Sequence, residues 1–380
     1  MNLSPLIVRH LPQRIRVWLI EQGWAYPDKT GGGFVLSEID LEKQLAGKGL
    51  PIRDLHSWSR RLHRMLRFKP SLGIMAKEFC SCDLKVVRSI EIADGFPIMV
   101  CLQKDDLTRV RTFMKYHRKI GFRYFAFIDN GSTDGSFEWL YDQKDVFLFR
   151  TDEPYTSANR DAWINRVLAY FGDNRWYAVL DSDEFLSYED CENKNIDQVI
   201  SYLKSKKIMR ARSMMLDMYA MDGYFERGNR GDFLTESVYF DSATYTTAPW
   251  DYHVILSGGP RKRLFNTNAT LTKYPLFFLS DGEILYQAHA MFPLWKNLNS
   301  PCFLVIRHYK FLPGDKLKFE KIAKDGKYYG GSIEYKQYVA RMSDSEIIRF
   351  TFEGTEKYVD SSSLRVIPNY DAIEWDDSDN

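Results

Sequence analysis

Between Phe96 and Leu180 the sequence alternates short apolar runs with longer amphipathic ones, and this alternation limits the fold more than any other feature. "FPIMVCLQ" (96–103) has strand character. In "DDLTRVRTFMKYHRKIG", which follows, Leu107, Val110, Phe113 and Met114 share one helical face and Gly121 supplies the stop. The pattern repeats as a strand over 122–128, a helix from about 136 to 142, a strand at 146–150, a helix over 157–171 and a strand at 176–180. Strands that alternate with helices predict a mostly parallel, doubly wound α/β sheet with helices on both faces. Ligands of such sheets bind beyond the carboxyl ends of the strands.

Two acid-rich stretches fall at that kind of position. "YFAFIDNGSTDGSFEWL" (124–140) leaves an apolar run through Asp129, and "WYAVLDSDEFL" (176–186) does so through Asp181, Asp183 and Glu184. Asn130-Gly131 and Asp134-Gly135 are turn dipeptides, so the first stretch taken alone reads as a connection. A bare D-x-D is equally weak. The two together gather carboxylates at one sheet edge, where they repel unless a hard divalent cation lies between them or a ligand donates hydrogen bonds. Oxygen donors suit Mg²⁺ or Mn²⁺, which typically bridge one or two carboxylates to substrate phosphates.

With 380 residues, 44% of them apolar, the chain can fill one large domain or two ordinary ones. A net charge of +1 gives no global field toward nucleic acid or an anionic membrane, so a phosphate-bearing ligand needs a local basic site. The five cysteines (80, 82, 101, 191, 302) are scattered, and Cys80-Ser-Cys82 lacks zinc or redox spacing, which points to reduced thiols in a cytoplasm. Charges interrupt the apolar start of "MNLSPLIVRHLPQRIRVWLI", which fits neither a signal peptide nor a membrane span. "TGGGF" (30–34) reads as a loop, because no Lys-Ser/Thr follows at P-loop spacing. In "RDLHSWSRRLHRMLRFKP" (53–70), Leu55, Trp58, Leu62, Met65 and Leu66 fall at helical spacing, with Arg60, Arg61, Arg64 and Arg67 largely on other faces. This helix either lies on an anionic membrane or packs on the main domain with a basic outer face.

"KDD…FMKYHRKIGFRYFAFIDNGSTDGS" followed by "WYAVLDSDEFL" resembles the nucleotide-sugar half of family-2-like glycosyltransferases of the GT-A fold. "GGPRKRLF" (258–265), "LTKYPLFF" (271–278), "QAHAMF" (287–292), "LVIRHYKFL" (304–312) and "YYGGSIEYKQYVARM" (328–342) resemble the C-terminal half of its bacterial branch. The resemblance implies a GT-A type, Rossmann-like domain over 96–345, split into a nucleotide-sugar half (96–190) and an acceptor half (191–345). Residues 1–95 form an unrecognised, partly helical extension and 346–380 a C-terminal tail. Where the family usually shows Lys-Asn-Glu this chain has Lys104-Asp105-Asp106, an acid one carbon shorter.

That likeness also implies roles. Asp129 accepts a hydrogen bond from uracil, Asp106 lines the same pocket, and Asn165 faces the crevice from the helix before the D-x-D strand. Asp181 touches ribose or metal, Asp183 ligates the Mn²⁺ or Mg²⁺ that bridges the diphosphate of a UDP-sugar, and Glu184 stands behind them. His289 or His308 completes the metal site; His308 and Lys310 share a face if their segment is extended. Arg261, Arg263 and Lys273 supply local cations, the two arginines alternating as on one strand face. An inverting enzyme needs a general base; Asp217, Glu236, Asp241 and Asp251 are candidates, with Asp241 first and Asp251 beside aromatics next. The implied acceptor is a glycan or lipid-linked saccharide of a bacterial capsule or lipopolysaccharide, handled in the cytoplasm or peripherally on the inner membrane. A nucleotidyltransferase and a sugar-binding module with a decayed site are the rival readings.

Overall fold

The computed structural model describes residues 50–68, 73–222, 232–249, 254–297, 300–343 and 348–375. Two helices come first, α1 (Leu55–Phe68) and α2 (Gly73–Ser81). The alternating half follows as β1 (Lys85–Arg88), β2 (Ile98–Gln103), α3 (Leu107–Lys119), β3 (Tyr124–Asp129), α4 (Ser136–Tyr141), β4 (Val146–Arg150), α5 (Ser157–Phe171) and β5 (Arg175–Val179). Next come β6 (Glu184–Ser187), α6 (Ile196–Ser205), β7 (Arg210–Asp217), α7 (Phe233–Glu236), β8 (Tyr239–Asp241), β9 (Thr246–Pro249), β10 (Val254–Ser257) and α8 (Gly259–Phe265). The chain continues through β11 (Thr272–Leu279), β12 (Ile284–Tyr286), β13 (Ala290–Phe292), β14 (Leu304–His308), α9 (Asp315–Asp325), α10 (Tyr329–Ser343) and β15 (Thr355–Lys357).

Among the described residues, nine strands form one sheet in the order β1-β4-β3-β2-β5-β11-β7-β14-β6. Strands β2 to β5 are mutually parallel, β7 and β14 run with them, and β1, β11 and β6 run against their neighbours. The result is a mixed α/β, mainly parallel, Rossmann-like sheet. Both faces are covered, as the period-2 pattern of β2 shows. Ile98, Val100 and Leu102 pack with Trp163 and Val167 of α5, while Met99 and Cys101 pack with Val110, Phe113 and Met114 of α3.

Helix α1 packs on the main body. Trp58, Leu62 and Met65 are fully buried in the α5-side core, and burial of side chains this large contributes about 1.5–3 kcal/mol each. One expectation fails here, because Arg61 is not on a basic outer face. It is buried, donating to Ser57 Oγ and Glu283 O and pairing with Asp173. The described part of the N-terminal extension therefore shares a core with the sheet. So does the segment set apart as a tail: β15 pairs with β8, and Leu364, Ile367 and Ile373 join the α3-side core. "TGGGF" lies outside the described residues. Among those described, no helix is long and apolar enough to cross a membrane. All five cysteines are free and buried, and burial pushes the Cys80 thiol up to about 11 and Cys82 up to about 12.

Candidate functional site

Strand register assembles the site. His308, the last residue of β14, stands opposite Asp217 on parallel β7 and opposite Glu184 on antiparallel β6. Laterally paired residues project to the same face of a sheet, so three separate stretches of sequence deliver an imidazole between two carboxylates. Asp183, one residue before β6, joins them because its carbonyl accepts from Tyr309 N at 2.8 Å.

The hydrogen bonds define the imidazole. His308 Nδ1 lies 2.6 Å from Asp217 Oδ1, and Nε2 lies 3.3 Å from Asp183 Oδ2. Burial opposes charge on the ring, but Asp183 and Asp217 override it and raise the His308 pKa above 6.5. Asp183 is correspondingly held well below the usual carboxylate range by His308, Lys310 and Arg109 despite burial. A histidine whose Nδ1–H is fixed by a carboxylate presents Nε2 in one orientation, the usual support for a metal-ligating imidazole. Asp183, Glu184 and His308 offer donor atoms that all lie within 4.8 Å of one another. Of these, Glu184 is already engaged by Lys273. The donor set therefore fits a divalent cation on Asp183 and His308.

Asp181 is also held by protein cations. Arg160 Nη2 reaches its Oδ1 at 2.8 Å and Lys273 Nζ its Oδ2 at 3.4 Å, and the two keep its carboxyl ionised. Lys273 is thus occupied by Asp181 and Glu184. Asp106 reaches the same centre, accepting from Ser182 Oγ at 2.5 Å and pairing with Arg109 at 3.2 Å. Arg109 in turn pairs with Asp315 of α9. Lys310 Nζ donates to Tyr335 OH at 2.8 Å and lies close enough to Asp183 to stabilise its charge. Beside Asp181 stands an aromatic wall in which Tyr155 stacks on Tyr328 at 4.5 Å and Tyr328 meets Tyr335 at 5.2 Å. Asp161 lies next to Arg160 at 3.3 Å, and its carboxyl is pushed up to about 6 by burial.

Several expected residues do other work. Asp129 is fully buried, and its carboxylate accepts from Gln103 Nε2 at 2.5 Å and Ser132 N at 3.1 Å, so it offers no open acceptor to a base. The D-N-G-S-T-D-G stretch laces two loops: Asp134 accepts from the exposed N-terminal amide of α3 at Leu107, and Asp105 accepts from Thr133 N. Asn165 faces Leu285 rather than the crevice, donating to its carbonyl at 3.0 Å and accepting from its amide at 3.0 Å. His289 donates its Nδ1–H to Thr272 O at 2.9 Å, stands outside the three-residue cluster, and has its pKa pushed down to about 3 by burial and Lys273.

The two arginines of "GGPRKR" sit on a helix, not a strand. Gly258 has φ +132, and a Cβ there would meet Thr244 O at 2.2 Å; Pro260 then opens α8. Residues two apart on a helix diverge. Arg261 turns to Asp217 and Glu334, and Arg263 to Asp241. Asp241 is thereby unsuited to be a base: it is fully buried and accepts from Arg263, Tyr219 OH and Thr244 Oγ1. Its replacement by Asn should lower the melting temperature, because a buried charged hydrogen bond left unpaired costs about 1–3 kcal/mol. The response to Mn²⁺ plus UDP should persist, and its loss in thermal-shift measurements would restore Asp241 to the site. Asp251 lies outside the described residues.

Arg109 and Arg160 escape the sequence reading, although position could have found them. Both occupy the first turn of a crossover helix, α3 and α5, and such turns sit at the same sheet edge as the strand-end acids.

No protein-family model matches the chain, and no curated protein matches it. Among solved structures, S. aureus TarS (residues 1–349) is similar, with a TM-score of 0.28 and 12% identity over 65% of this chain and 70% of that one. So slight a likeness carries no inference about the site.

Proposed function

We propose that this chain is a metal-dependent glycosyltransferase that moves a sugar from a UDP-sugar to a glycan or lipid-linked acceptor in bacterial surface-polysaccharide synthesis. The observation that carries the reading is the pairing of Asp183 with a His308 oriented by Asp217 at the strand ends of the sheet. The motif resemblance supports sugar transfer and the uridine donor.

Mn²⁺ or Mg²⁺ would be held by Asp183 and His308, and the imidazole nitrogen favours Mn²⁺. When bound, the ion supplies Lewis-acid stabilisation of the charge that develops on the departing diphosphate. The protein's own residues do the rest. Arg160 and Lys273 fix Asp181 and Glu184, so the acid-rich turn is ordered in advance. Lys310 places a cation near Asp183, where it could also meet phosphate oxygens. Tyr155 and Tyr328, stacked on each other at 4.5 Å, place aromatic rings beside Asp181 against which a sugar or base ring could pack.

Incubation with a panel of UDP-hexoses and Mn²⁺ should release UDP, faster when a saccharide acceptor is added. Release of pyrophosphate from UTP plus sugar-1-phosphate, without UDP release from any UDP-hexose, would establish a nucleotidyltransferase instead. Tight Mn²⁺-dependent UDP binding with no turnover would point to the decayed module.

A further inference from the structure

Of the two readings open for α1, packing on the main domain is the one observed, and a different segment combines exposed aliphatic side chains with lysines. On α9 the buried residues Asp315, Phe319 and Ile322 define the inner face. Helical spacing sets Leu317, Lys321 and Lys324 on the opposite face, and Leu317 is 74% exposed. Exposed Lys316 and Lys318 flank it, exposed Lys327 follows in the turn to α10, and Ile333 beyond the turn is 56% exposed. Against these stand the exposed Glu320 and Asp325. The chain as a whole carries only +1, so this density of lysine is local.

We propose that the α9–α10 hairpin docks the protein on an anionic lipid bilayer, with Leu317 and Ile333 entering the interface and the surrounding lysines meeting lipid phosphates. Lysine stems can lie along apolar surface while their ammonium groups reach a charged headgroup layer. An amphipathic helix with an aliphatic residue amid lysines suits such an interface, and four to eight basic residues are the usual size of an anionic-lipid patch. A nucleic-acid backbone would satisfy the lysines but leave Leu317 and Ile333 without use.

The hairpin also borders the site. Asp315 pairs with Arg109, which pairs with Asp106, and Lys318 Nζ lies 3.6 Å from Asp106. Tyr328, between the two helices, stacks on Tyr155. Docking through this hairpin would bring the site's mouth to the bilayer, where a lipid-linked acceptor resides; that consequence rests on the proposed function, whereas the docking does not.

Flotation of the full chain with phosphatidylcholine vesicles containing 30% phosphatidylglycerol tests it directly. The wild type should float with these vesicles at low salt and remain behind with pure phosphatidylcholine. Lys321→Glu/Lys324→Glu/Lys327→Glu should weaken partitioning roughly a hundred-fold, and Leu317→Ser/Ile333→Ser should weaken it at unchanged melting temperature. Reversal of three exposed lysines elsewhere, Lys204, Lys206 and Lys207, serves as the charge-matched control and should do far less. Equal loss in the control, unchanged flotation of both hairpin variants, or capture by heparin with no flotation would each overturn the proposal. Vesicle binding without any response to Mn²⁺ plus UDP would leave the docking intact and remove the transferase reading.

Discussion

Replacing Asp183 with Ala should abolish the Mn²⁺ dependence of UDP binding and lower sugar transfer by roughly a hundred- to a thousand-fold, the scale of losing one aligned charge-stabilising group. The expectation comes from what Asp183 touches. Its carboxylate lies 3.3 Å from His308 Nε2, and His308, Lys310 and Arg109 stabilise its charge. The two acids beside it in sequence are already engaged, Glu184 by Lys273 and Asp181 by Arg160. Four calorimetric titrations decide the matter: wild type and Asp183→Ala with UDP, each with and without Mn²⁺. Wild type with Mn²⁺ should stand alone. Ligands that bind only the folded state stabilise it by about 2.7 kcal/mol at a hundred times Kd, so the thermal shift from saturating Mn²⁺ plus UDP should vanish in the variant too. Equal affinity in all four titrations would remove the metal from the proposal, whatever the apo stability of the variant.

The alternating half of the fold is legible because its signals are local. Helix 157–171 declares itself through an apolar pattern begun by Thr156, whose hydroxyl accepts from Asn159 N, and β2 to β5 are short apolar runs with both faces covered. The second half is not local. Strands β11, β7, β14 and β6 join the sheet out of chain order, so the juxtaposition of Asp217, His308 and Glu184 is a fact of register between segments up to 124 residues apart, 184 to 308. No spacing rule reveals it. Arg261 and Arg263 look like alternating strand residues because a seven-residue helix is too short to show its own period. Acids carry the same ambiguity: a sequence marks Asp129, Asp181 and Asp241 alike as strand-end carboxylates. Only the partners separate one enclosed by Gln103 and Ser132, one held between cations at the site, and one sealed by Arg263 and Tyr219.

His308→Asn should produce two separate losses. The first is structural: His308 is 3% exposed and joins Asp217 to Asp183, so its removal withdraws a partner from two carboxylates and should cost about 1–3 kcal/mol of apo stability. That loss depends on pH. The folded-state pKa of His308 is raised above the ordinary 6.5 by the two carboxylates, so its stabilisation is complete below about 6.5 and fades as pH rises through the raised value. Wild type and variant should therefore differ most near pH 6 and converge in alkaline buffer. The second loss concerns the metal. A ligating imidazole must be neutral at Nε2, so Mn²⁺ affinity of the wild type should climb over the same interval in which apo stability declines. The stabilisation by Mn²⁺ plus UDP should disappear in His308→Asn at every pH. Asp217→Asn should keep part of it, since loss of the group that orients a ligating histidine typically weakens metal binding 10- to 100-fold. His289→Asn, measured alongside, should retain the ligand-induced shift, because that ring is bonded to Thr272 O outside the cluster. If His289→Asn loses the shift and His308→Asn keeps it, His308 is only a buried brace between two acids and the metal centre lies on the other histidine.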